Sequence, residues 1–173
     1  MELSARAATP EDAARIAQIY NEGIEDRVGT FETRPRTEDD VRTWFDDRHP
    51  IVVVETDGPS TARGASRVIA FASTSTYRVR ACYAGIAEFS VYVARDGRGQ
   101  GAGRVAMEAL ILACVPAGIW KLVSRVFVEN TASRTLLKSV GFREVGVYEK
   151  HAQLDGEWRD VVIVERLIPE NIL

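Results

Sequence analysis

The residues with the most chemistry in their spacing lie between Glu88 and Ala113. Glu88-Phe89-Ser90-Val91-Tyr92-Val93 has the composition of a strand, Arg98-Gly99-Gln100-Gly101-Ala102-Gly103-Arg104 follows, and an apolar helical stretch begins at Val105. Glycines at 99, 101 and 103 remove Cβ atoms where backbone N–H groups must approach an anion closely. A helix that starts there turns its positive end toward the same charge. Strand, loop and helix together describe a nest for a pyrophosphate, with Arg98 or Arg104 able to add a charge-assisted contact. The same letters would also serve as a plain turn joining strand to helix. A dinucleotide fold needs GxGxxG at its first strand and an acidic residue about 20 positions later, a P-loop needs lysine followed by Ser or Thr, and neither is present.

Arg78 and Arg80 share one face if their strand runs that far, because strand side chains alternate with period two. Two guanidiniums side by side suit a dianionic or phosphinate-like group, and a solvated sheet edge is the alternative. Cys82 and Cys114 are far apart, without a CxxC pair or a Cys/His cluster, so neither a disulfide framework nor a metal site is expected. The formal charge of −3, from 22 basic and 25 acidic residues, supplies no long-range field to collect nucleic acid or an anionic membrane. No apolar run approaches the length of a bilayer span, so a cytoplasmic, unprocessed chain is expected.

The elements that must position these groups follow from the pattern. At 173 residues and 46% hydrophobic content, residues 1–173 are expected to form one domain with its own core. Thr9-Pro10-Glu11-Asp12 caps a helix from about Pro10 to Gly23, and Thr37 with Asp40 caps a second that ends before His49-Pro50. Ile51–Glu55 and Arg67–Tyr77 read as a hairpin whose tip, DGPSTARGAS, is expected to be mobile. Ile86–Val93 is the next strand, Gly101–Val115 a helix, Lys121–Val128 a strand and Thr131–Val140 a short helix. Strands at Phe142–Tyr148 and Trp158–Leu167 finish the chain. Helix, helix, three strands, helix, strand, helix and two strands describe a mixed α/β fold, one sheet flanked by helices.

The run Arg98-x-x-Gly101-x-Gly103 after Val-Tyr-Val resembles motif A of the GNAT acetyltransferases, and Glu129-Asn130-x-x-Ser133 followed by Gly141-Phe142 resembles their motif B. Five further pieces are similar to the phosphinothricin, methionine sulfoximine and arsinothricin acetyltransferase branch. They are Ile19-Tyr20-Asn21, Thr30-Phe31-Glu32, Tyr77-Arg78-x-Arg80-x-x-Tyr83, Glu88-x-Ser90-Val91-Tyr92-Val93 and Asp155-Gly156-x-Trp158-x-Asp160-Val161.

The resemblance implies a mostly antiparallel twisted sheet splayed at the acetyl-CoA strand. It implies acetyl-CoA as cosubstrate, no metal, a small-molecule amine as substrate and a homodimer. Cofactor contacts carry over to Val91, Tyr92, Val93, Arg98, Gly99, Gln100, Gly101, Ala102, Gly103, Arg104, Asn130 and Ser133. Substrate contacts carry over to Phe31, Arg78, Arg80 and Tyr83. Glu88 is implied as the base, directly or through a water, because an α-amino group is mostly protonated near neutral pH; a strand-end carboxylate paired with an arginine is the alternative. Relatives place a Tyr or His seven positions after the motif B asparagine, where it protonates the departing thiolate; here Leu137 stands there, which leaves the acid unassigned. His151, Trp158 and Asp160 receive no role. An acetyltransferase for another amine, and a non-catalytic acetyl-CoA-binding module, are the competing readings.

Overall fold

The computed structural model describes residues 2–57 and 66–173, so the hairpin tip expected to be mobile lies outside the described residues. Seven strands form one sheet in the order β1-β2-β3-β4-β5-β7-β6. They are β1 (Leu3–Ala7), β2 (Ile51–Asp57), β3 (Ser66–Thr76), β4 (Ile86–Val93), β5 (Lys121–Phe127), β6 (Arg143–Leu154) and β7 (Glu157–Leu167). The helices are α1 (Ala13–Asp26), α2 (Glu38–Arg42), α3 (Ala102–Cys114) and α4 (Thr131–Ser139).

Every neighbouring pair is antiparallel except β4 and β5, which run parallel and stay in register only from Ile86↔Lys121 to Glu88↔Val123. Beyond Glu88 the two strands separate, while β4 keeps β3 on its other side as far as Val93↔Ala70. The expected mixed, mostly antiparallel sheet with a splay at β4 is therefore what forms. Alternation along β4 sends Ala87 and Phe89 into a core with Met107 and Leu110 of α3 and Leu137 of α4. Tyr92 goes to the opposite face, against the α1 cluster of Ile16, Tyr20 and Phe71.

Three expectations need correction. The first strand, β1, was not anticipated: four of its five residues are exposed, and it is held by its backbone ladder to β2 rather than by an apolar face. The second helix stops at Arg42 instead of running toward His49, because local side chains offer the backbone other partners. Thr43 Oγ1 donates to the Asp40 carbonyl at 2.6 Å, and Asp46 Oδ1 accepts from the N–H groups of Arg48 and His49 at 2.8 and 2.7 Å. Finally, β6 does not end at Tyr148; it passes an irregularity between Tyr148 and Ala152, with Lys150 at φ 46° and its N–H on Asp160 Oδ1, and reaches the Asp155-Gly156 turn.

Candidate functional site

Where β4 and β5 part, the sheet opens into a cleft of about 520 Å³. From Phe89 to Val93, β4 has a strand partner on one side only, so the backbone groups on its other edge front this cleft. Val91 and Val93 line it; Tyr92 contributes main chain, because its ring stacks on Phe71 at 5.6 Å and burial pushes its phenol pKa up.

The far end of the cleft is the glycine loop. Gly99 at φ 77° and Gly101 at φ 83° are left-handed, and a Cβ on either would meet nothing within 4 Å. Their glycine identity is thus conformational, and the space beside them is open. The first helical bond of α3 is Val105 N–H to Gly101 O at 3.2 Å, which leaves the N–H groups of Ala102, Gly103 and Arg104 without intrahelical carbonyls. Together these features form an anion site by backbone geometry alone. Gly103 differs: a Cβ there would lie 2.7 Å from Leu136 Cδ1, so this glycine lets α3 approach α4. Gln100 points away, its amide donating to Asp96 O at 3.2 Å.

The arginines of the loop are already paired. Arg98 Nη2 donates to Asp26 Oδ2 at 2.6 Å, and Arg104 Nε to Glu108 Oε1 at 2.8 Å, one turn along α3. Of the two, Arg98 lines the cleft. Its partner Asp26 also receives Arg95, and these hydrogen bonds, Arg95 first, hold the Asp26 carboxyl below the usual carboxylate range against the opposing effect of burial.

Asn130 and Ser133 form the opposite wall. Asn130 caps α4, accepting from Ser133 N–H at 3.2 Å, and its amide donates to Val28 O at 3.1 Å, which ties the segment after α1 to the cleft. Leu137 also lines the cleft and is 1% exposed, so no proton donor stands at that position.

Glu88 sits at the fork itself, the last residue of β4 in register with β5. Its Oε1 accepts from Arg125 Nη2 at 3.0 Å. The possibility of an arginine partner is thereby realised, and the carboxylate is still partly open to solvent. Arg125 went unnoticed in the sequence, since nothing in the string Lys121–Phe127 ties it to Glu88, 37 positions away. Asp26 was missed for the same reason.

None of the other expected substrate residues, Phe31, Arg78, Arg80 and Tyr83, lines the cleft itself. Phe31 packs edge-on against Phe127 with ring centroids 4.8 Å apart. The Arg78 and Arg80 expectation of one strand face is corrected: β3 ends at Thr76, and both arginines are exposed in the turn that follows. Arg78 lies over the Tyr77 ring at 4.6 Å, and Tyr83 meets the same ring edge-on at 5.9 Å. Arg78, Tyr77 and Tyr83 thus form one ring-stacked cluster beside the exposed Arg80, rather than a strand face. Of the two cysteines, Cys82 is exposed in this turn, and burial in the α3 core pushes the Cys114 thiol up to about 12.

A family model described as an acetyltransferase (GNAT) domain matches residues 2–143. The chain belongs to the GNAT acetyltransferases. It is 30% identical to the phosphinothricin N-acetyltransferase of Streptomyces coelicolor over 170 residues, covering 95% of this chain and 96% of that one. The L-methionine sulfoximine/L-methionine sulfone acetyltransferase of Pseudomonas aeruginosa is 29% identical, with 95% and 94% covered. Among solved structures, a GNAT phosphinothricin acetyltransferase from Sinorhizobium meliloti in complex with acetyl-CoA superposes with a TM-score of 0.84 at 27% identity, covering 96% of this chain and 89% of that one. No helix among the described residues is long and apolar enough to cross a membrane, and none of their His, Cys, Asp and Glu side chains cluster as metal ligands.

Proposed function

We propose that this GNAT acetyltransferase transfers acetyl from acetyl-CoA to the α-amino group of a small amino acid or glutamate analogue of the phosphinothricin or methionine sulfoximine type. The observation that carries the reading is the fork: β4 and β5 part after Glu88, whose carboxylate is paired with Arg125 on the wall of the cleft that leads to the left-handed glycines. The open space beside Gly99 and Gly101 and the free N–H groups opening α3 fit a diphosphate. The unpartnered edge of β4 at Val91 and Val93 suits an amide-bearing arm such as pantetheine.

Bound there, acetyl-CoA supplies an acetyl group activated as a thioester. The protein's part is to hold the amine against it, neutral and with its lone pair free. Glu88 takes the amine proton, directly or through a water, with Arg125 Nη2 donating to its Oε1 at 3.0 Å. The amine attacks directly, with no covalent enzyme intermediate required; Cys114 is buried in the α3 core, and a Cys82→Ser variant that kept cofactor binding but lost activity would overturn this. Leu137 gives no proton, so the thiolate leaves unassisted by that position. Arg78 and Arg80 favour an acidic head group and disfavour polyamines and aminoglycosides, which need acidic walls. We also propose a homodimer, in keeping with Val147, Tyr148 and Trp158 left exposed on the β6–β7 hairpin; light scattering at micromolar concentration tests it.

The deciding experiment follows thiol release from acetyl-CoA with phosphinothricin, methionine sulfoximine and spermidine side by side. Turnover with the first two and not the third supports the reading; preference for spermidine overturns it. The buried Leu137 favours one other reading, a non-catalytic acetyl-CoA sensor. Calorimetric binding of CoA without thiol release across an amine panel would establish that one instead.

A further inference from the structure

Arg125 has no assigned role, yet it is the cation on the wall of the cleft nearest the proposed base. Leu122 and Val126 turn into the α3 core, so alternation puts Arg125 on the other face of β5 with Val123 and Phe127. Glu88 shares that face, because Ala87 and Phe89 on either side of it are buried in the same α3 core. Glu88 and Arg125 therefore form an ion pair 3.0 Å long on the open side of the fork, with side-chain exposures of 32% and 39%. Glu88 is the sole ion-pair partner of Arg125 among the described residues. Phe127, two positions on, carries Phe31 against it, so an apolar wall adjoins the pair.

A half-exposed pair of this kind contributes little to stability. Its arrangement does have a chemical complement: a molecule carrying an ammonium and a carboxylate on one carbon presents the opposite polarity over the same short span. We propose that Arg125 is the anchor for the α-carboxylate of the substrate, with the α-amino group directed to Glu88 and the carbon chain lying toward Phe31 and Phe127. The inference rests on the reading of Glu88 as the base for an amino-acid substrate, and deepens it. It also separates two anionic demands of a glutamate analogue: Arg125 holds the α-carboxylate at the fork, and the exposed Arg78/Arg80 turn is left for the side-chain head. An amine lacking the carboxylate leaves Arg125 facing no anion and is rejected for that reason.

The test compares methionine sulfoximine with its α-carboxamide by thiol release from acetyl-CoA, in wild type, Arg125→Gln and Arg125→Lys. Any loss that acts through an unpartnered Glu88 strikes both substrates and cancels in the ratio of their kcat/KM values. Wild type should prefer the free acid strongly; Arg125→Gln should reduce the acid-to-amide ratio by about 10- to 100-fold, mostly through the KM of the acid. Arg125→Lys, which keeps the charge but loses the bidentate fork, should retain part of the preference. Acid and amide falling together in Arg125→Gln, with the ratio intact, would overturn the anchor and leave the amino-acid acetyltransferase standing. Turnover of carboxylate-free amines with none of either amino-acid derivative would overturn both.

Discussion

Arg98 Nη2 donates to Asp26 Oδ2 at 2.6 Å, so the arginine of the glycine loop that lines the cleft is paired with a carboxylate on the wall of the same cleft. A diphosphate entering the loop meets a paired cation and a like charge. Asp26→Asn keeps a hydrogen-bonding group and removes the repulsion, and should tighten acetyl-CoA by about two- to five-fold, within the range of partly exposed ion pairs. The gain should shrink when ionic strength rises from 0.05 to 0.5 M, roughly the range over which the Debye length contracts below the size of the site. Calorimetry at both salts measures it; equal affinity for the two proteins at low salt would show that Asp26 does not oppose the cofactor.

Gly101 and Gly103 look alike in the sequence and should fail differently. Gly101→Val forces a β-branched residue to φ 83°, which costs about 1–2 kcal/mol or more in a folded backbone and fills the nest besides. Gly103→Ala instead drives a methyl to 2.7 Å from Leu136 Cδ1, an overpacking worth about 1–3 kcal/mol. In the Gly103→Ala background, Leu136→Ala should therefore cost less than it does alone. Urea unfolding of the four proteins of that cycle gives the coupling, and acetyl-CoA affinity should fall far more for Gly101→Val.

The contrast between those glycines shows what the sequence made legible. Backbone demands are local: a strand, two left-handed glycines and a helix start are written in consecutive letters, and the strand β4, Gly99, Gly101 and the start of α3 form where the letters put them. What escaped depends on distant partners. Asp26 belongs to the site because α1 ends beside the loop, and Arg125 because β5 runs parallel to β4 for three residue pairs before parting. The strand β1 escaped for another reason, since Leu3-Ser4-Ala5-Arg6-Ala7 is only five residues long, and its alternation is carried by one large apolar side chain and two alanines. Arg78 and Arg80 were expected on one strand face, but β3 ends at Thr76 and both lie in the turn that follows, Arg78 over the Tyr77 ring.

Glu144 of β6 is clasped by Arg134 of α4, Nε to Oε1 at 2.8 Å and Nη2 to Oε2 at 2.9 Å, and this fixes the helix that carries Asn130 and Leu137. The Arg134 hydrogen bonds lead the causes that bring the Glu144 carboxyl down to about 2. Its folded pKa lies below the unfolded value of about 4.3, so the stabilisation is complete above that pH and is lost as pH falls toward about 2. Glu144→Gln should lower the urea midpoint at pH 7, and the gap to wild type should close on acidification through that window. A gap that persists unchanged at the acid end would assign the effect to packing rather than to the charge.

Glu88→Gln tests the chemistry with the least disturbance, because glutamine preserves the shape of the side chain and leaves the β4–β5 register at the fork in place. It removes the proposed base and also frees Arg125 from its one ion-pair partner among the described residues. The two consequences have separate signatures. Loss of the base should lower kcat by about 10²-fold or more, and the loss should diminish at high pH, where more of the substrate amine arrives already neutral. Release of Arg125 should not raise the KM for an amino acid whose carboxylate that arginine holds, since its guanidinium no longer has an internal competitor. Acetyl-CoA affinity should be nearly unaffected, because the proposed diphosphate site is main chain from Gly99 to Gly103, at the other end of the cleft. A pH–rate profile of Glu88→Gln that coincides with wild type would remove the carboxylate from the mechanism, and would leave the amine to lose its proton to solvent before it binds.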